Sequence, residues 1–108
     1  MDPNAVLQGT LDLMVLKTLE AMGPLHGYGL ARRIEQVSGN ALLLNQGTIY
    51  ASLVRLLHKG WIRSEWGTSE TNRRAKFYAL TPRGRAQLRE QAASWERIAA
   101  LMTRVLEQ

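Results

Sequence analysis

The apolar positions of the chain fall into five runs punctuated by glycine and proline. The first, Leu7 to Met22, is helical by composition and stops at Gly23-Pro24. Leu11, Val15, Leu19 and Met22 line up on one side, while Leu13, Met14 and Leu16 point elsewhere. A helix that is apolar almost all round must be covered on more than one side. In so short a chain the simplest second cover is another subunit. His26 to about Val37 forms a second helix with a narrow apolar stripe of Leu30, Ile34 and Val37, and its Arg32, Arg33 and Gln36 face water. It ends at Ser38-Gly39-Asn40, a C-cap and turn signal. A third helix opens near Gln46-Gly47-Thr48 and closes at Gly60. Its buried face is Ile49, Leu53, Leu56 and Leu57; the other carries Tyr50, Ala51, Arg55 and Lys59.

The period then changes. Trp61 to Trp66 and Arg74 to Leu80 are β-prone runs of roughly alternating character. The polar stretch Gly67 to Arg73 between them makes a hairpin with a long basic tip. Trp61 and Trp66 belong to this hairpin as packing or wing residues. The last helix starts at Thr81-Pro82, an N-cap followed by proline at the first helical position. At about 25 residues it spans ~37 Å, more than a domain of this size needs. Leu88, Trp95 and Met102 recur every seven residues, with Ala92, Ile98, Ala99, Val105 and Leu106 between them. No other apolar face is left to cover this stripe. The economical solution is dimerisation, with Leu88, Ala92, Trp95, Ala99, Met102 and Leu106 at the interface; the alternative is a helix folded back on its own domain.

Composition narrows the function. The chain has 108 residues, 45% apolar and 21% charged, which is globular rather than disordered. It has no cysteine, so disulfides and thiol metal sites are out and an oxidising compartment gets no support. No apolar run approaches the ~18 residues of a membrane span, and nothing reads as a leader. A cytoplasmic location is expected, with no membrane partner. His26 and His58 lack cysteine or histidine neighbours at ligand spacing, so no metal site is expected. His26 belongs at a helix start. No catalytic set or phosphate-binding loop can be assembled, and neither catalytic residues nor a cofactor are expected. The net charge of +5 is unevenly placed: residues 55–89 hold nine cations against Glu65 and Glu70. Such a block suits a polyanion partner, although a solvated basic face would read the same way.

Three helices and a hairpin, in that order, make a winged helix-turn-helix. The fold class is mainly α with a small β-hairpin, residues 1–81 forming the winged domain and 82–108 a C-terminal dimerisation helix. In this arrangement the third helix enters the major groove and the second braces it across the backbone. Gln46, Thr48, Tyr50, Ser52 and Arg55 have side chains suited to base edges. Lys59, Arg73, Arg74 and Lys76 suit phosphates, where position matters more than sequence. A rival reading is a winged-helix interaction module whose basic face docks an acidic protein.

Three blocks of the chain carry a family resemblance. Leu25-His26-Gly27-Tyr28-Gly29-Leu30 resembles the start of the second helix in the PadR transcriptional regulators. Gly47-Thr48-Ile49-Tyr50, continuing through Leu53, Leu56 and Gly60-Trp61-Ile62, resembles their recognition helix and its exit. Arg73 through Gly84 resembles the wing strand and the start of their last helix. The single C-terminal helix is similar to the compact branch of that family. The resemblance implies a homodimer that binds a double-stranded, inverted-repeat operator, usually as a repressor, and is released by a small molecule. It further implies DNA contact by Thr48 and Tyr50 and a backbone phosphate near Tyr28. Gln46 departs from the Pro or Ala common before the Gly-Thr step; glutamine can pair bidentately with adenine. Trp95, on the dimer-facing stripe, is either an interface anchor or part of an aromatic platform for a planar effector.

Overall fold

The computed structural model of the chain describes residues 3–108, and side chains from Gly9 onward; the Leu7 side chain, where the first run begins, lies outside these. Four helices and three strands follow one another as α1 (Pro3–Met22), β1 (Leu25–His26), α2 (Gly27–Val37), α3 (Gln46–Lys59), β2 (Ile62–Thr68), β3 (Arg74–Leu80) and α4 (Pro82–Leu106). The expected order of helices and hairpin is present. The hairpin is extended by a third strand: Leu25 pairs with Tyr78 and His26 with Phe77, giving an antiparallel sheet of order β1-β3-β2. Two residues are too few to leave an alternation signal in the sequence. The paired strands also reach further than expected, to Thr68 opposite Arg74, leaving a tip of residues 69–73. There the Arg73 carbonyl accepts from Ser69 N–H at 2.7 Å, and Asn72 takes φ 60°, a left-handed conformation that asparagine tolerates well.

Helix α1 is the hub of the core. It packs against α2, α3, α4 and β3, and its Leu11, Val15, Leu16 and Leu19 are all buried. Leu30, Ala31 and Ile34 of α2, Ile49, Leu53 and Leu56 of α3, Ile62, Tyr78 and Leu88 complete the cluster. Burying a large aliphatic side chain stabilises by about 1.5–3 kcal/mol, so the four α1 residues are a principal driving force. Part of the second cover comes from the chain itself, because the first turns of α4 lie beside α1 and Leu16 is enclosed, while Leu13 and Met14 stay half-buried. Met22 and Val37, expected on buried stripes, are exposed. Both sit in the last turn of their helices, where the chain is already leaving the core.

The root of α4 is pinned to the end of α3. Thr81 caps α4 by accepting from Gly84 N–H at 3.0 Å, and its hydroxyl donates to the Gly60 carbonyl at 2.8 Å. Thr81 N–H donates to the Trp61 carbonyl at 3.1 Å. Gly84 is buried, and a Cβ there would collide with the Trp61 carbonyl. Leu88, assigned in the sequence reading to a dimer interface, is 3% exposed within the chain's own core and is corrected to a core residue. It lies one and a half turns into α4, before the helix leaves the body. Beyond it the apolar stripe is open: Trp95, Ile98, Leu101, Met102, Val105 and Leu106 are exposed, and Ala92 and Ala99 half-buried.

The clamp at Gly84 is testable. Gly84→Ala should cost about 1–3 kcal/mol, the usual range for overpacking, seen as a lower urea midpoint. An unchanged midpoint would mean that α4 is not held against Trp61.

Candidate nucleic-acid interface

Helices α2 and α3 are each capped by their own sequence. His26 starts α2: its Nδ1 accepts from Gly29 N–H at 2.9 Å, and its ring meets Phe77 edge-on at 5.4 Å and lies 6.4 Å from Tyr28. Between α2 and α3 the chain turns through Gly39 and Asn40, both at positive φ. Asn45 caps α3, with Oδ1 accepting from Thr48 N–H at 2.7 Å. Gly60 closes it in the left-handed conformation, φ 76°. Gly27, at the start of α2, faces α3: an added Cβ there would meet Gln46, Ile49 and Leu53 at ordinary contact distance.

Helix α2, the front of α3 and the tip of the β2–β3 wing enclose an open groove of about 1060 Å³. Of the sequence-predicted residues, Tyr28, Gln46, Tyr50, Arg73, Arg74 and Lys76 line it. Tyr50 is 63% exposed. It stands near Tyr78, whose phenol is pushed up by burial and further by Tyr50. Arg32, Arg33 and Gln36 also line the groove. Sequence reasoning set these three aside as a solvent face, and they do face solvent. The missed signal was positional: the outer side of α2 in a helix-turn-helix is the side that crosses the DNA backbone. Five cations, Arg32, Arg33, Arg73, Arg74 and Lys76, thus surround the groove, with Glu70 the only carboxylate lining it among the described residues.

The wing cations are oriented by an aromatic. Trp66, 58% exposed, lies across from Lys76 in the sheet. The Arg74 guanidinium sits 4.7 Å from its ring centre and the Lys76 ammonium 5.5 Å. Each such contact contributes about 0.5–1 kcal/mol at an exposed site. Lys59 is held elsewhere, its ammonium 4.6 Å over Trp61, and neither it nor the half-buried Thr48 lines the groove.

Ser52 and Arg55 require a correction. Both were expected to face base edges, yet both turn inward to Asp12 of α1. Ser52 is fully buried and its hydroxyl donates to Asp12 Oδ1 at 2.6 Å. Arg55 forks onto the same carboxylate, Nε to Oδ2 at 3.0 Å and a terminal nitrogen to Oδ1 at 2.7 Å. This hydrogen bonding pushes the Arg55 pKa above its ordinary value. An isolated buried carboxylate would cost several kcal/mol; a bidentate partner with a further hydroxyl donor offsets that cost. Among the described residues no buried side-chain polar atom lacks a partner, and no helix is long and apolar enough to cross a membrane.

A helical pair at a sharp turn, a hairpin beside it and a basic groove between them define a winged helix-turn-helix. Residues 15–90 match the model of the transcriptional regulator PadR-like family, and the chain belongs to that family, whose members are transcriptional regulators and not enzymes. An uncharacterized 37.1 kDa protein in transposon TN4556 of Streptomyces fradiae is 41% identical over 86 residues, or 80% of this chain. The chain spans only 23% of that relative's length. A transcriptional regulator from Clostridium thermocellum superimposes with TM-score 0.83 at 26% identity, over 93% of this chain and 96% of that one. Bacillus subtilis PadR, solved in complex with operator DNA, superimposes with TM-score 0.65 at 26% identity, over 76% of this chain and 46% of its own.

The cap of α3 offers a direct check on how the reading helix is started. Asn45→Ala should lose about 1 kcal/mol of stability and Asn45→Asp much less, as measured by thermal melting. Equal melting of all three proteins would show that the Thr48 N–H is satisfied in another way.

Proposed function

We propose that the chain is a homodimeric repressor that reads an inverted-repeat DNA operator in the cytoplasm and is released by a small planar molecule. The observation that carries the DNA reading is the groove in which Gln46 and Tyr50 at the front of α3 are surrounded by five cations of α2 and the wing. Gln46 and Tyr50 meet base edges in the major groove. Tyr28, Arg32 and Arg33 face the adjoining backbone, and Arg73, Arg74 and Lys76 take phosphates along the wing. The similar Bacillus subtilis PadR, solved in complex with operator DNA, supports DNA as the partner. Residues 1–81 act as the reading domain and 82–108 as the dimerisation helix. The exposed stripe of Trp95, Ile98, Met102 and Leu106 supports self-association, with Ala92 and Ala99 as the close-approach positions. Trp95 would offer the effector its aromatic face.

Selection of bound duplexes from a random pool, at two salt concentrations, tests the reading. Enrichment of an inverted repeat with half-sites one helical turn apart is expected, with affinity falling at a log–log slope of about −0.9 per phosphate neutralised. Gln46→Ala should then lose about 1–3 kcal/mol of discrimination at one position. Binding without any enriched sequence would remove α3 as a reader, and no binding at either salt would favour the acidic-partner module. Self-association has its own test. Leu101→Asp with Leu106→Asp should leave a folded monomer in sedimentation, occupying single half-sites; an unchanged dimer would place the interface elsewhere.

A further inference from the structure

We propose that Asp12 is a positioning residue for DNA reading, fixing the rotation of α3 through Arg55 and Ser52. The inference rests on the DNA reading above. Ile49, Leu53 and Leu56 seat α3 in the core, but apolar contacts are non-directional and set depth better than angle. The carboxylate supplies the missing angular constraint. It lies in the middle of α1, 7% exposed, and grips two α3 residues three positions apart, one by a fork and one by a hydroxyl. Residues at that spacing share one side of a helix. At 3.6 residues per turn, Tyr50 lies about 200° from Ser52 and about 140° from Arg55, on the far side. The brace and the reading residues therefore sit at opposite ends of the helix diameter. A roll of about 20° on a radius of about 5 Å moves a side-chain tip by nearly 2 Å, enough to break a hydrogen bond. Helix α1 also packs on α4, so the carboxylate ties the reading helix to the frame of the domain and not to a neighbouring loop. Arg55 contributes through this tie and does not touch DNA.

The direct-contact alternative makes predictions of opposite sign. The full chain is compared with Asp12→Ala, Arg55→Ala, the double variant and Arg55→Lys, binding the selected operator and an unrelated duplex at two salts. Amide exchange over α3 is followed in the free proteins. Asp12→Ala, which leaves every groove residue in place, should weaken operator binding by at least about tenfold, the size of one lost base contact. Affinity for the unrelated duplex and the salt slope should stay unchanged. Arg55→Ala should match it, the double variant should be no worse than either, and α3 amides should exchange faster in all three. Leu88→Ala, destabilised in the core at a helix that packs on α1 and β3, should retain the operator preference, which separates positioning from stability loss. If Asp12→Ala binds as well as or better than the parent while Arg55→Ala lowers the salt slope by about one, Arg55 is a DNA contact and the proposal is overturned. Should Asp12→Ala not fold, Arg55→Lys and Ser52→Ala decide: preserved operator preference in both overturns the proposal. If the parent chain binds no duplex, the DNA reading fails on its own. Unchanged α3 exchange in Asp12→Asn would then overturn the brace as well.

Discussion

Everything in this fold leans on the burial of α1. A helix apolar on nearly every side has no stable existence at a surface, so α2, α3 and α4 are recruited around it as walls. That recruitment fixes the angle between α2 and α3 and hence the mouth of the groove. A single carboxylate in the same helix, Asp12, then converts a greasy seat into a keyed one. Non-directional and directional forces are divided between neighbouring residues of one helix turn.

Much of this architecture was legible in the residue pattern because the signals were local. The caps at His26 and Thr81, the left-handed stop at Gly60 and the turn at Gly39-Asn40 each depend on a few adjacent residues. The features that escaped are non-local. Strand β1 exists only because β3 has an open edge for two residues. Leu88 and Met22 exchanged their expected places because burial depends on where a helix leaves the body, which spacing along it does not encode.

The candidate site divides in the same way. Tyr28, Gln46, Tyr50 and the wing cations could be found from their positions in motif and hairpin, and the structure gathers them around one groove. Arg55 could not be placed, because its partner is 43 residues away and on a helix whose other neighbours are apolar. An arginine on the polar side of a presumed reading helix looks like a base contact until the acid that claims it is seen. Arg32 and Arg33 were read as water-facing, and they are; what spacing along α2 did not encode is that this outer face also lines the groove.

The junction at Trp61 links parts that look separate. One carbonyl accepts the amide that begins the last helix, the adjacent glycine ends α3, and the next residue begins the wing. Reading helix, wing and α4 are thus hinged on a single backbone knot. Beyond Leu88, the last buried residue of α4, the helix runs on for about 27 Å, and a tilt of about 5° sweeps its far end through about 2 Å. Read in reverse, a displacement of a few ångströms at the far end reaches the wing and the foot of α3 as a small rotation, with large travel geared down to fine angular adjustment.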